Sequence, residues 1–177
     1  MWEKWTRGAR RAISLAHVFA IQAGASETGT NHLLMGVLRE DAALVNRFLI
    51  TSISEEMVRL RTFPKEALMG DSRNEQTTFA FGDESNQVLC FASEEADLMS
   101  ESQISLEHLL LGLLRQQDSI ASRILREGGA DLDFVRRDLK ANPYTPRPDR
   151  ERLASERERV LKRLGTRGPD AAPVAGQ

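Results

Sequence analysis

The chain has 177 residues, of which 41% are hydrophobic and 28% charged, with a formal net charge of −2. This composition supports a packed core, and no apolar stretch approaches the roughly 20 residues that a membrane span needs. The opening residues already include Glu3 and Lys4, which is unlike the apolar region of a signal peptide. We therefore expect a soluble, cytoplasmic protein of one ordinary domain or two small ones, with no membrane partner.

Apolar residues recur at helical spacings along the chain, so helices are predicted and strands are not. Thr6 is predicted to cap a long first helix that ends near Gly24. Thr30 or a neighbour caps a second helix over 33–39. The first helix is predicted to face inward with Ala9, Ile13, Ala16 and Ala20.

Two shorter helices complete the first half. A third helix is predicted over 44–49, and a fourth follows Ser52, which has Glu55 three residues later in a capping-box pattern. The fourth helix is predicted to bury Ile53, Met57 and Leu60.

The second half shows the same order of elements. Residues 70–78 connect the halves, and four helices are predicted over 82–99, 105–115, 118–126 and 131–140. The last of them is predicted to face inward with Leu132, Val135 and Leu139.

Residues 141–177 are predicted to form a basic tail. They hold eight Arg or Lys and five Asp or Glu, a net charge of +3. Three prolines within 142–148 oppose a continuing helix, and 168–177 is rich in Ala, Pro and Gly, so both stretches are typical of a linker or disorder. Between them, a short amphipathic helix is predicted over 149–164.

One sequence pattern occurs twice. Residues 29–40 return as 105–116 at a constant offset of 76, with six of twelve positions identical, and the same offset pairs Trp5 with Phe81. A duplicated helical module follows, with repeat one at about 1–65 and repeat two at about 78–140.

These residues carry a resemblance over about the first 140 positions. The opening Trp2-Glu3-Lys4-Trp5-Thr6 and the paired His-Leu-Leu-x-Gly segments at His32 and His108 resemble the Clp N-terminal domain, or Clp repeat domain, of the ClpA/ClpC type. The resemblance implies an all-α fold of two tandem four-helix repeats with pseudo-twofold symmetry, followed here by the linker and short amphipathic helix. Such domains usually sit in front of ATPase rings and receive substrates or adaptor proteins.

The sequence contains no Gly-x-x-x-x-Gly-Lys-[Ser/Thr] phosphate loop. The chain thus resembles a stand-alone N-domain without AAA+ modules, and we expect a non-enzymatic protein- or peptide-binding module of the Clp system. It would act as an accessory subunit, adaptor or regulator, with Clp ATPase or protease subunits as partners. The alternative is a decoy for client proteins marked with phosphoarginine, or for cyclic-peptide antibiotics.

Some ClpC-type relatives recognise phosphoarginine with the motif glutamate of each repeat. The resemblance places Glu107, preceded by Ser105, in this role in repeat two, whereas repeat one has Thr30 and then Asn31. Asn31 keeps an acceptor but loses the charge, and Leu106 replaces the motif threonine. A simpler interpretation is that these polar groups stabilise helix starts, and both interpretations can hold together.

The aromatic residues form a second group of candidates. Trp2 is the candidate for an exposed binding anchor, whereas Trp5 and Phe81 can instead cap the cores of the two repeats. In the family, the corresponding surface receives cyclic-peptide antibiotics and peptide segments. The remaining candidates on this surface are Thr6, Arg10, Ser14, His17 and Phe79.

No cofactor, metal site or catalytic residue is predicted. His32 and His108 lack a nearby ligand cluster in the sequence and are expected to hydrogen-bond at helix starts in the neutral form. Cys90 lies in an apolar run and is expected to fill the core. Nucleic-acid binding through the basic tail is the less favoured class, because acidic residues are interleaved with the basic ones.

Overall fold

A computed structural model describes residues 2–63, 80–146 and 157–158 of the chain. The candidate Phe79, the connection 70–78 and nearly all of the predicted helix 149–164 lie outside these residues. Within the described ranges the fold is all-helical, with two isolated bridges and no β-strand, which confirms the predicted fold class. Residues Met1–Tyr144 form one compact unit and Thr145–Gln177 a second.

In residues 2–63, a 3₁₀ turn precedes three helices. The turn covers Trp2–Lys4, and the helices are α1 (Arg7–Gln22), α2 (Thr30–Asn46) and α3 (Glu55–Thr62). Thr6 caps α1 as predicted, because its hydroxyl accepts from the Ala9 N–H at 3.3 Å.

Four helices follow in the second half of the described chain. They are α4 (Asp83–Leu98), α5 (Leu106–Arg115), α6 (Ile120–Glu127) and α7 (Leu132–Ala141). Their bounds lie within two residues of the predicted ones.

The third predicted helix is not separate from the second. Residues 42–46 continue α2 beyond a kink at Asp41, which has non-helical angles of φ −153° and ψ 92°. The Asp41 carboxylate accepts from the Ala43 N–H at 3.0 Å and so restarts the helix after the kink.

The start and the buried face of α3 differ from the prediction. Ser54, not Ser52, is the cap, since the Asn46 side chain bonds both the N–H and the carbonyl of Ile53 and holds that residue outside the helix. Ile53 is buried ahead of the helix, but within it Val58 is the buried residue. Met57 and Leu60 are 40% and 58% exposed, so their predicted burial is wrong.

Two glycines allow the helices of each half to pack closely. A Cβ atom on Gly36 would lie 2.1 Å from the Ala12 carbonyl oxygen of α1, and one on Gly112 would lie 2.5 Å from the Val88 carbonyl oxygen of α4. The two glycines and their two partners are both separated by the repeat offset of 76. α1 therefore meets α2 as α4 meets α5.

The two halves also join through equivalent backbone contacts. Trp5 forms a parallel bridge with Ile104, and Thr28 forms one with Phe81. The offset of 76 takes Trp5 to Phe81 and Thr28 to Ile104. The two bridges therefore join equivalent positions, with the two halves exchanged. This exchange is the relation that a pseudo-twofold axis between the halves produces, and the duplication itself stays a prediction.

A buried acid in the second half holds two arginines. Glu95 is fully buried, and its Oε1 lies 2.8 Å from Nη2 of Arg136 and 3.1 Å from Nη1 of Arg115. Burial alone would raise the pKa of Glu95, but the hydrogen bonds and charges of these arginines outweigh it and hold the pKa below its ordinary value. The cluster ties α4 to α5 and α7.

Candidate functional site

An open groove of about 820 Å³ lies between the N-terminal turn and α4. Its walls combine aromatic and aliphatic side chains with a few polar ones. The lining residues are Trp2, Glu3, Lys4, Trp5, Phe81, Asn86, Leu89, Cys90, Ser93 and Ile104. The volume is within the range of pockets that bind small molecules or peptide side chains.

The structure brings three predicted aromatic candidates together at this groove. Trp2 is 46% exposed, and its ring centre lies 5.9 Å from that of Trp5, which is 6% exposed and part of the core. Phe81 packs against His17 with ring centres 4.6 Å apart. Trp5 thus supports the groove from the core, while Trp2 offers free surface to a ligand.

Cys90 lies on the wall of the groove and is exposed, so its predicted place in the core is wrong. The buried stripe of α4 runs through Val88, Ala92 and Ala96 at helical spacing. Cys90 lies off this stripe, although its neighbours in sequence are apolar. The apolar residues next to Val88 therefore contribute to the groove wall.

The predicted polar candidates on α1 do not line the groove. Thr6 uses its hydroxyl as the helix cap, and the Ser14 hydroxyl donates to the carbonyl of exposed Arg10 at 3.0 Å. His17 Nδ1 lies 2.7 Å from the Thr28 hydroxyl, and burial lowers the pKa of His17. His17 contacts Phe81, a residue of the groove, but does not line the groove itself.

The second candidate region is the N-terminus of α5. Ser105 is the cap, and His108 Nδ1 accepts from the Ser105 N–H at 3.0 Å. Nδ1 is therefore unprotonated, and the neutral ring carries its proton on Nε2. Burial lowers the pKa of His108, although the charges of Glu101 and Glu95 oppose this. Neutral His108 bonding at a helix start agrees with the prediction.

Glu101, Glu107 and His108 place one potential ligand atom each within 4.8 Å of one another. The protonation state of the His108 ring argues against a metal ion at this cluster. The lone pair of His108 Nδ1 faces a backbone N–H, and Nε2 carries the proton, so no imidazole nitrogen is available as a ligand. The cluster does not fit a metal ion.

The first half has an equivalent arrangement without the acid. His32 Nδ1 accepts from the Gly29 N–H at 2.9 Å, and burial lowers the pKa of His32 to about 4. Thr30 is buried, and the Asn31 amide donates to the Thr62 hydroxyl at 3.2 Å. The side chain of Asn31 is thus engaged within the domain.

Glu107 is covered by a segment that follows α7. Its side chain is buried, and Oε2 accepts from the Tyr144 N–H at 3.0 Å. Burial raises the pKa of Glu107, and this exceeds the lowering by the Tyr144 hydrogen bond. The Tyr144 hydroxyl donates to Asp41 Oδ2 at 2.8 Å.

Sequence reasoning missed Tyr144 and Asp41 because the prolines around Tyr144 favour a linker. The structure shows that this stretch begins with a residue packed on the core. The available signal was that Tyr144 is the single tyrosine of the chain, in a stretch otherwise poor in apolar residues. Sequence reasoning also missed the groove residues of α4, namely Asn86, Leu89 and Ser93.

Within the part of the chain that the structure describes, no helix has the length and apolar character that crossing a membrane requires.

Comparisons with known proteins agree with this architecture. The family model described as the Clp repeat (R) N-terminal domain matches residues 80–164. "Negative regulator of genetic competence ClpC/MecB" of Bacillus subtilis is 26% identical over 140 residues, which cover 78% of this chain and 17% of that protein. "Chaperone protein ClpC1, chloroplastic" of Oryza sativa subsp. japonica is 30% identical over 136 residues, covering 77% of this chain and 15% of that protein.

A solved structure of a Clp N-terminal domain has a similar fold. The N-terminal domain of the caseinolytic protease associated chaperone ClpD from Arabidopsis thaliana has a TM-score of 0.58 and 27% identity. The match covers 77% of this chain and 95% of that one. The chain spans about a sixth of the length of the full-length relatives above, and the region they share is the N-terminal part. By sequence over residues 80–164 and by fold, the chain contains a Clp repeat N-terminal domain.

Proposed function

We propose that this protein is a non-enzymatic module of the Clp unfoldase and protease system that binds protein or peptide segments in the groove beside Trp2. The observation that carries the proposal is a half-exposed tryptophan at an open apolar groove. Its role is that of an accessory subunit, adaptor or regulator, with Clp ATPase or protease subunits as partners.

The groove suits an apolar side chain of an extended peptide. Trp2, Phe81 and Leu89 offer apolar surface, and burial of such surface supplies the main driving force of peptide capture. Lys4 and Asn86 at the groove provide a charge and an amide that can orient the peptide backbone. A large aromatic residue at the centre of a binding surface commonly contributes about 2 kcal/mol or more.

Substitution of Trp2 tests this proposal. We expect Trp2→Ala to weaken binding of apolar peptides, selected from a peptide array, by about 30-fold, the equivalent of a 2 kcal/mol anchor. Leu98→Ala is the matched control, because Leu98 is 64% exposed and does not line the groove. Equal affinities of the Trp2→Ala variant and the unchanged protein, measured by fluorescence anisotropy of the labelled peptide, would contradict the groove assignment.

The adaptor and decoy roles make opposite demands on the tail. An adaptor must contact the Clp machine, and 149–164 is the natural docking segment because its predicted helix is amphipathic. A decoy needs only the helical body. Deletion of 145–177 should abolish binding to purified Clp ATPase or protease subunits if the protein is an adaptor. The same deletion should leave capture of client peptides intact if it is a decoy.

Phosphoarginine recognition by Glu107 is a second candidate. A carboxylate can accept two parallel N–H bonds from a guanidinium group, and Glu107 lies in the first turn of α5, where N–H groups of the helix can receive an anion. Asn31 lacks the charge, which favours one site per chain. Titration with free phosphoarginine tests this, and loss of binding in Glu107→Gln would assign the site.

A further inference from the structure

The segment Asn142–Tyr144, named the strap here, joins two buried acids from different halves of the domain. The Tyr144 N–H donates to Glu107 of α5 at 3.0 Å. The Tyr144 hydroxyl donates to Asp41, at the kink of α2, at 2.8 Å. One residue thus supplies a donor to an acid of each half.

The start of the strap is anchored separately. Arg47 forms an ion pair with Asp138 of α7, and its Nη1 donates to the Asn142 carbonyl at 3.3 Å. The Arg47 guanidinium also lies 5.2 Å from the ring centre of Phe48. These contacts fix the direction in which the chain leaves α7 and bring Tyr144 over Glu107.

Both acids need donors because they are buried. Glu107 and Asp41 are 4% and 3% exposed, and a buried carboxylate without hydrogen bonds is costly. The strap contributes a backbone amide and a phenol, neither of which carries a charge. They add to the Ala43 N–H that bonds Asp41, and to the Ser105 side chain and the Arg47 charge that act on Glu107. A positively charged donor group would satisfy the same two carboxylates better than neutral donors do.

We propose that the strap is a reversible internal plug that occupies the Glu107 acceptor, and that its release opens Glu107 and Asp41 together to a ligand with a guanidinium head. The proposal rests on phosphoarginine recognition at Glu107, the second candidate above, and adds its regulation. The Tyr144 N–H occupies Glu107 Oε2 and covers the carboxylate on that side. A guanidinium ligand that approaches this oxygen meets the strap, so the strap and the ligand compete for Glu107.

The effect of this competition on ligand affinity can be estimated. The apparent affinity for a ligand falls in proportion to the fraction of molecules in which the strap is open. Hydrogen bonds to charged acceptors correspond to about 10- to 100-fold in an equilibrium constant. Loss of the Tyr144 N–H should therefore tighten guanidinium binding by about 10-fold or more.

The experiment compares strap variants in the full chain. Tyr144→Pro removes the N–H and the phenol, Tyr144→Phe removes the hydroxyl alone, and Pro143→Ala is the control that keeps both donors. Phosphoarginine and arginine are the two probes, titrated by calorimetry, and circular dichroism verifies that each variant is folded. The double variant Tyr144→Pro/Glu107→Gln tests whether the gained binding uses Glu107.

We expect the affinity for phosphoarginine to rise by about 10-fold in Tyr144→Pro, less in Tyr144→Phe and not at all in Pro143→Ala. The double variant should lose the gain. Amide exchange should show that the Tyr144 N–H loses protection when the unchanged protein is saturated with the probe.

Two results would overturn the proposal and point to different errors. Equal binding by the unchanged protein and Tyr144→Pro, abolished in both by Glu107→Gln, would preserve the phosphoarginine site and refute the strap as its plug. Absence of binding in every variant would refute the site and the plug together, and peptide capture in the Trp2 groove would then be judged by its own assay.

Discussion

Substitution of Gly36 by alanine tests how closely α1 and α2 are packed. The added Cβ would lie 2.1 Å from the Ala12 carbonyl oxygen, whereas real Cβ atoms essentially never approach within 3.0 Å. Relief requires α1 and α2 to separate by roughly 1 Å in a core that is packed like an organic crystal. The partner is backbone, so no side-chain rotation can make room.

The expected free-energy change combines two opposing effects. Alanine in place of glycine favours a helix by about 1 kcal/mol, while forcing a group into a packed core commonly costs about 1–3 kcal/mol. Because the obstacle is backbone, we expect the cost to reach or exceed the upper end, for a net loss of about 2 kcal/mol. Gly112→Ala should behave alike, since its Cβ would lie 2.5 Å from the Val88 carbonyl oxygen.

Urea unfolding followed by circular dichroism measures this loss. Gly8→Ala is the control, because its Cβ would meet the end of the flexible Leu106 side chain at 3.0 Å. We expect the control to change the free energy of unfolding by less than about 1 kcal/mol. If Gly36→Ala were as stable as the control, the close approach of α1 and α2 would be refuted.

Four further predictions concern buried and exposed groups. Glu95→Ala should destabilise the fold by about 2 kcal/mol or more, because Arg115 and Arg136 lose their shared partner; an unchanged urea midpoint would refute this. The depressed pKa of Glu95 means that its contribution is complete above the unfolded pKa and is lost as pH falls through the folded pKa, so Glu95→Gln should flatten the acid limb of a stability profile. His32, with a folded pKa of about 4, should destabilise the fold as pH falls from about 6.5 toward 4, since only the unfolded chain takes up the proton readily; an NMR titration of the His32 ring with a midpoint near 6.5 would contradict this. Because Cys90 is exposed, it should react with a thiol reagent in the folded protein at a rate close to that in denaturant. A much slower reaction in the folded protein would show that Cys90 is buried.

The helices could be predicted from sequence because their apolar spacings and caps agree with each other. Thr6, followed by Ala9 and Ile13, specifies α1 in both respects. The start of α3 could not be read in this way, since Ser52 and Ser54 are both acceptable caps. The choice depends on Asn46, which lies at the end of the preceding helix and fixes Ile53 through its side chain.

The candidate groove could be predicted only in part. The aromatic residues stand out by type, and the offset of 76 pairs Trp5 with Phe81. The structure shows that both line the groove, which the offset alone does not predict. Cys90 and Ser93 could not be assigned to the groove, because a run of apolar neighbours does not reveal which side of α4 is covered. The contact of Tyr144 with Glu107 spans 37 positions and follows no local pattern.

The exchanged bridges mean that neither half is a complete folding unit. The Ile104 N–H donates to the Lys4 carbonyl at 2.6 Å, and the Thr28 N–H donates to the Ala80 carbonyl at 2.8 Å, so each half supplies an edge that the other half needs. A fragment with one half alone would leave such backbone groups without partners, and two separate fragments should find each other in solution. These backbone contacts couple the folding of one half to the folding of the other.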